Sequence, residues 1–406
     1  MGVEETARAW VAEHWKGVDD PAWRRSVYAA GYATPSWPAG PGALGCSRTE
    51  SEAIRAVFAD AGAPGACREL APFNEDPWLN LIGGPILAFG TDDQRERVLG
   101  PLLTGEVDQG CLLYSEPGAG SDLAALQTRA DLDGDEYVVN GQKVWTSGGH
   151  EASFGLLVAR TDWDVPKHAG ISFFVFPMHQ PGVEVRPIRQ ITGGSRFSEV
   201  FLTNARVPAA NLIGGAGNGW KVLQVALAAE RRGMGELVLD SAGGPTATER
   251  RPPLFSRSDD LVAAARDAGR LDDPVVRDEI MKLHIWRLVN DWTAARAIAE
   301  LRASGSSSLA SLGKLANSRI LHGSAALRFR LLGTRALQYD EAADPEGHQV
   351  DHDVMMAFIN SIGGGSDQIQ RNIISERVLG LPKGPEPDKG VPFNDVLKSD
   401  ATRSLG

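Results

Sequence analysis

Three textures of apolar and polar positions follow one another along the chain. Up to about residue 110, apolar residues recur at helical spacing with Pro and Gly interruptions. Within this stretch Gly90-Thr91-Asp92-Asp93-Gln94 reads as a helix start. Thr91 caps, Gln94 reaches back as the capping-box partner, and Val98, Leu102 and Leu103 supply the apolar stripe. From Cys111 to about residue 210 the pattern changes to β-prone runs separated by turn signals. Glu136-Tyr137-Val138-Val139 precedes Asn140-Gly141, which reads as a hairpin turn, and Gln142-Lys143-Val144-Trp145 follows. Gly155–Ala159, Ile171–Phe176 and Glu199–Leu202 continue the series.

Past the Gly214–Gly219 linker the strand signal ends. Ile285, Leu288, Val289, Trp292, Ala295 and Ala299 recur at helical spacing, as do Leu309, Leu312, Ala316, Ile320, Gly323 and Leu327. A further helical pattern through the 350s is broken by Gly363-Gly364-Gly365 and resumes at Ile369, Ile373, Ile374 and Val378. The expected organisation is α+β and multidomain. It comprises an N-terminal helical domain (1–110), a central β-barrel-like domain (111–212), a C-terminal helical bundle (213–383) with an inserted loop at 243–258, and a tail (384–406).

Composition narrows the functional classes. The 406 residues are 42% hydrophobic and 23% charged, the balance of an ordinary globular protein. A net charge of −11 argues against a nucleic-acid binder, which needs a basic footprint. Three scattered cysteines, Cys46, Cys67 and Cys111, do not make a disulfide framework or a metal site. His348–Asp353 reads as a polar stretch before a helix rather than a metal cluster. With no apolar run of about 18 residues and no signal-like N-terminus, the expectation is a cytoplasmic protein without membrane insertion.

Two segments carry candidate chemistry. Leu113-Tyr114-Ser115-Glu116-Pro117-Gly118-Ala119-Gly120-Ser121-Asp122 has the small residues and hydroxyls of a flavin or phosphate cradle, and equally those of a turn between helix and sheet. Asn140–Gly148 then sets Trp145 beside Thr146 and Ser147 on the next strand. With Gly90–Gln94, Pro101 and Gly105-Glu106, Val207-Pro208, Gly217-Asn218-Gly219-Trp220, and Gln368-Ile369-Gln370-Arg371-Asn372, these segments resemble the acyl-CoA dehydrogenase family over nearly the whole chain.

The resemblance implies an N-terminal helical domain, a β domain and a C-terminal four-helix bundle, with FAD held between the last two. It implies α,β-dehydrogenation of an acyl-CoA thioester in lipid or steroid side-chain metabolism of the β-oxidation type, with electrons passed to an electron-transferring flavoprotein. Carried over by motif, Tyr114 and Ser115 contact the isoalloxazine. Gly120 and Ser121 lie by the pyrophosphate or the CoA moiety, Trp145 packs on the flavin, and Ser147 sits near its N5. Ser366 and Gln368 match adenine-dinucleotide contacts, and Ser366 or Asp367 can also cap a helix.

The sequence departs from the family at the base. Where many members carry Tyr-Glu-Gly-Thr, this chain has Gly363-Gly364-Gly365-Ser366, which holds no carboxylate. A subgroup places the Glu on an earlier helix, matching Glu230. Arg231 beside it is a substrate-binding candidate that orients the base or simply solvates a helix face, and the Gly364 N–H remains available to polarise the thioester carbonyl. The family's Arg-Lys-Thr-Phe-Gly segment has no match between residues 257 and 277, and its Leu-Gly-Gly element reads Leu332-Gly333-Thr334. Both serve FAD across a subunit interface, so the oligomer is homo- or heteromeric. Two other readings stay open. One is a non-catalytic or half-active partner subunit; the other is a related flavin oxidase or acyl-carrier-protein dehydrogenase.

Overall fold

The computed structural model describes residues 2–71, 76–107, 109–236, 261–304, 307, 309–337 and 345–396. The chain divides into two compact units. The first comprises Met1–Gln190, Ser195–Ala229 and Glu386–Gly406; the second comprises Ile191–Gly194 and Glu230–Pro385.

The first unit opens with helices α1 (Val3–His14), α2 (Pro21–Ala29), α3 (Arg48–Asp60), α4 (Pro77–Phe89) and α5 (Asp92–Thr104). Short polar side chains fix their starts by accepting from orphan amides: Asp20 from Trp23, Ser47 from Glu50, and Thr91 from Gln94. The Thr91–Gln94 capping box forms as the sequence predicts. The Gln94 amide does more than close that box. It donates to the carbonyls of Ala210 (2.9 Å) and Leu212 (2.8 Å), which pins α5 to the end of the β region. Trp23, Ile54, Phe58, Ile82 and Ile86 lie in the apolar core of this part.

Eight strands follow: β1 (Gly110–Leu113), β2 (Arg129–Asp133), β3 (Glu136–Ser147), β4 (Phe154–Arg160), β5 (Ile171–Pro177), β6 (Val183–Ile188), β7 (Phe197–Pro208) and β8 (Leu212–Ile213). Their order is β6-β7-β3-β2-β4-β5-β8, with β1 pairing β4 in parallel. β2 and β4 meet only at Arg129 and Arg160, so two halves join along a narrow seam. Val139, Leu157, Phe174, Phe176, Val200 and Leu202, drawn from both halves, share one buried core. The domain therefore has a barrel-like interior, but the sheet is open rather than closed. β6 carries Pro187, which lacks a ladder donor, and β8 is two residues long, so neither end of the sheet propagates.

Asn140-Gly141 is not a hairpin turn. β3 runs straight through it, and the β2–β3 turn falls at Gly134 instead. The Asn140 side chain exchanges hydrogen bonds with Asn204 on β7, and a Cβ at Gly141 would meet Thr128 Oγ1 at 2.5 Å. The pair thus makes a bulge where another strand end comes close.

Helix α6 (Gly219–Glu236) starts in the first unit and runs into the second. Its first residue must be glycine, since a Cβ there would lie 2.4 Å from the Ser172 carbonyl carbon on β5. The second unit then holds α7 (Leu261–Asp267), α8 (Pro274–Ser304), α9 (Ala310–Leu332), α10 (Pro345–Ile362) and α11 (Asp367–Ile373), the last continuing into a π turn. The expected inserted loop at 243–258 lies outside the described residues.

α9 packs against each of the other four helices of this unit. Arg287 reaches Ser324 and Asn290 reaches Asn317, while His322 meets Ser361 and Arg328 meets Asp353. Residue numbers rise on one helix as they fall on the other, so α8, α9 and α10 alternate in direction as bundle helices do. α8 is apolar on two sides: Val276, Ile280 and Leu283 are buried with Leu327 of α9, but a second stripe faces outward. Met281, Ile285, Val289 and Trp292 are all exposed, Trp292 at 67%, while Asn290 is buried on the opposite side. Much of the bundle interior is polar, with Lys314, Asn317, Ser318, Asn360 and Gln370 all buried. Among the described residues no helix is long and apolar enough to cross a membrane.

Candidate active site

The loop between β1 and β2 and the bulged end of β3 form one electrostatic assembly. Lys143 points into the domain with none of its surface exposed. Its Nζ donates to Glu116 Oε1 at 2.8 Å and to the Tyr114 carbonyl at 3.0 Å. Glu116 also accepts from the backbone amides of Gln127 (2.6 Å) and Thr128 (2.9 Å), so the start and end of the loop converge on one carboxylate. Burial opposes ionisation of Glu116. The adjacent Lys143 ammonium and these hydrogen bonds outweigh it and hold the carboxyl below the usual range. Between the two ends, Glu116 and Ala119 close a tight turn through reciprocal backbone bonds. Gly120 and Ser121 stand exposed beyond it, and a Cβ on Gly120 would meet nothing.

β3 breaks register against β7 between Lys143 and Thr146, and the break changes which way the next side chain faces. Val144 N–H donates to the Ser115 carbonyl at 2.9 Å, tying the bulge to the loop. Trp145 adopts a left-handed backbone (φ +61°) and is 61% exposed, braced edge-on by Phe197 at 5.9 Å. A bulky residue in that conformation costs of order 1–3 kcal/mol and persists only where the surroundings impose it. Thr146 turns inward again, and its buried Oγ1 has no hydrogen-bond partner among the described residues. Ser147 is exposed and Ser115 half-buried. Tyr114 sits apart from these: its ring is in the core, 6.3 Å from Phe173, and it gives the assembly its carbonyl.

In the second unit, α10 ends in a glycine turn. Gly364 (φ +62°) and Gly365 (φ +88°) both take left-handed backbone, and the Gly364 carbonyl accepts from Gln370 Nε2 at 3.0 Å. A Cβ at Gly365 would lie 2.8 Å from that same nitrogen. Ser366 caps α11 by accepting from the Ile369 amide, and Gln368 is exposed beside it. Asp367 is anchored on α9 by Ser318 (2.7 Å) and by the buried Lys314 (3.3 Å). Gly364, Ser366 and Gln368 thus share one turn. Glu230 and Arg231 fall on α6, but their side chains lie outside the described residues.

Motif reading finds Trp145, Ser115, Ser121 and Ser147, and the structure brings all four to the loop and bulge. It misses Glu116 and Lys143, the pair that holds them, and Lys314, which holds the turn at Asp367. The available signal was Lys143 itself, a charged residue at an inward position of a strand pattern.

An exposed indole on a rigid bulge, hydroxyls on either side and an open glycine-containing loop suit a planar, hydrogen-bonding ring system joined to a phosphate chain. Comparison with known proteins identifies the family. Residues 111–205 match the acyl-CoA dehydrogenase middle domain, and residues 256–379 match the acyl-CoA dehydrogenase C-terminal domain. The chain belongs to the acyl-CoA dehydrogenase family, whose members are oxidoreductases. It is 35% identical over 376 residues to the acyl-CoA dehydrogenase IpdE1 of Mycobacterium tuberculosis, covering 91% of this chain and 90% of that one. Among solved structures it resembles the Tcur3481-Tcur3483 steroid ACAD (TM-score 0.68, 25% identity, covering 94% of this chain and 97% of that one). It also resembles the ChsE4-ChsE5 complex of M. tuberculosis (TM-score 0.63, 26% identity, 94% and 97% covered).

The buried pair makes a pH-dependent prediction. Glu116 is depressed on folding, so its stabilisation is complete above its ordinary value of 4.5 and is lost as pH falls through the lower folded value. Glu116→Gln removes that contribution at every pH and leaves the Lys143 charge uncompensated, a loss of about 3–5 kcal/mol near neutrality. In urea unfolding, the gap between wild type and Glu116→Gln is expected to narrow steadily below pH 4.5. A gap that does not change with pH would contradict the role given to the pair.

Proposed function

We propose that this chain is an FAD-dependent dehydrogenase that introduces a Cα–Cβ double bond into an acyl-CoA thioester, with Glu230 as base. The observation that carries the reading is Trp145, held outward by strained backbone over a buried ion pair in a chain of this family. Ser115, Ser121, Trp145 and Ser147 would hold the flavin on the β domain, supported from beneath by Tyr114 and beside Gly120. Ser366 and Gln368 would meet its dinucleotide part. FAD supplies, when bound, the acceptor for the hydride that leaves Cβ. Glu230 takes the Cα proton as a carboxylate, and Arg231 beside it helps set its orientation. The Gly364 N–H, on a turn fixed by Gln370 and Asp367, donates to the thioester carbonyl and so acidifies Cα. An electron-transferring flavoprotein is the acceptor we infer, by the family's analogy, and the cytoplasm is the compartment, in keeping with three free cysteines.

The acyl group is bulky or ring-bearing in this reading. The turn that carries a tyrosine and a glutamate in many relatives is Gly363-Gly364-Gly365 here, which leaves more room. The resemblance to a structure named a steroid ACAD supports the same inference. A second reading is favoured by the same turn and by Leu332-Gly333-Thr334. This chain would then assemble with an unlike subunit, as the ChsE4-ChsE5 complex does by its name, and the two would complete a flavin site together. The outward apolar stripe of α8 is a face such an oligomer would cover.

Two measurements test the proposal. Glu230→Gln is expected to retain flavin yet lose its bleaching by acyl-CoA, with the rate down at least about a hundredfold; bleaching near the wild-type rate would place the base elsewhere. Turnover of ring-bearing acyl-CoA thioesters is expected to exceed that of short straight-chain ones, and a clear straight-chain preference would contradict the substrate class.

A further inference from the structure

The segment Glu386–Val396, expected from sequence to be part of a tail, belongs to the same compact unit as the β domain and packs on it through Pro392–Asn394. Phe393 N–H donates to the Val165 carbonyl (2.9 Å) and Asn394 N–H to the Trp163 carbonyl (3.0 Å). Asn394 Nδ2 donates to Asp164 Oδ1 at 2.7 Å, and Pro392 bridges to Pro166. The Phe393 ring is buried, 5.5 Å from Trp163, and lies directly over the Arg160 guanidinium at 3.5 Å. This short segment therefore grips the loop from Trp163 to Lys167 and covers a buried cation.

Arg160 passes that grip to the candidate site. It stands at the end of β4, and its donors go to main-chain carbonyls. Nη2 reaches Ala124 (2.8 Å), Nε and Nη2 reach Leu126 (both 3.2 Å), and Nη1 reaches Lys167 (3.0 Å). Burial pushes its pKa down to about 10, so it stays charged at neutral pH. Lys167 in turn donates to both carboxylate oxygens of Asp122, at 3.0 and 2.8 Å. Asp122 follows directly on Ser121, and Ala124 and Leu126 come within the next four residues. A guanidinium buried among carbonyls keeps its geometry only while its faces are covered and dry, and Phe393 is the nearer of the two rings over it.

We propose that Pro392–Asn394 is a strap that positions Ser121–Leu126 for a pyrophosphate-bearing ligand, with Phe393 and Arg160 as positioning residues. The proposal rests on the reading that the loop from Tyr114 to Asp122 grips FAD or the CoA part of the substrate. Both carry a pyrophosphate, and the test separates them.

The experiment uses the full-length chain as wild type, Phe393→Ala, Phe393→Tyr and the milder Asn394→Ala, which removes one strap hydrogen bond. Amide exchange over residues 121–127, read without ligand, is expected to quicken in Phe393→Ala, less in Asn394→Ala, and not in Phe393→Tyr. The KM for acyl-CoA or the Kd for FAD is expected to rise about three- to tenfold in Phe393→Ala with kcat within about twofold, and Phe393→Tyr to restore it. A change in KM alone assigns the segment to CoA, and a change in FAD retention assigns it to the flavin. Should Phe393→Ala fail to fold, Asn394→Ala carries the same comparison.

Unchanged exchange at 121–127 would overturn the proposal. So would faster exchange with both affinities intact, because the strap would then serve stability alone. Wild-type protein that takes up neither FAD nor acyl-CoA overturns the underlying functional reading, and the proposal with it. The ligand-free exchange distinguishes that failure from a strap that does not act.

Discussion

Most of the candidate site depends on one buried charge pair. Glu116 and Lys143 lie inside the β domain, where an isolated charge of either sign costs several kcal/mol, and each is satisfied only in one arrangement. Lys143 needs the Glu116 carboxylate and the Tyr114 carbonyl; Glu116 needs Lys143 and two amides from the far end of the loop. That mutual requirement fixes both ends of the loop against the middle of β3. It also fixes Lys143 inward at the position where β3 breaks register, so the next inward residue is Thr146 and Trp145 is forced out. An exposed indole with positive φ is costly. Its presence at a bulge anchored in this way is what a rigid platform for a planar ligand requires.

The bundle follows a related logic with a different outcome. Gly364 and Gly365 turn the chain in a conformation that other residues resist, and Lys314 and Ser318 hold Asp367 immediately beyond. The turn is thus shaped by polar groups buried inside the bundle, while much of the apolar surface of α8 stays outside. A helical unit built this way gives up part of its own hydrophobic stabilisation and keeps a face suited to association.

What could be read from the sequence follows from how local each signal is. The Thr91–Gln94 capping box is decided within four residues and forms as expected. The succession of helical, β and helical segments is legible because the period of the apolar pattern changes with it. Asn140-Gly141 misleads because the preference of that pair for a turn yields to tertiary contacts with Asn204 and Thr128. On α8, periodicity identifies the helix and its apolar side but cannot say whether that side meets this chain or another. Glu116–Lys143 spans 27 residues and Arg160–Phe393 spans 233, and no local pattern announces either pairing. The residues of the candidate loop and bulge could be named from motifs; the pairing of the charges that fix them could not.

In the function proposed for this chain, Trp145 and the loop tied to it form a flavin-binding surface. The most direct measurement is the FAD-to-chain ratio, from the visible spectrum, of wild type and Trp145→Ala after saturation with FAD and removal of the excess. Far-ultraviolet circular dichroism would confirm that both are folded. Bound flavin is expected in the wild type, with a marked loss in Trp145→Ala and the fold intact. A variant that keeps the full wild-type complement, or a wild type that binds no flavin, would contradict that function.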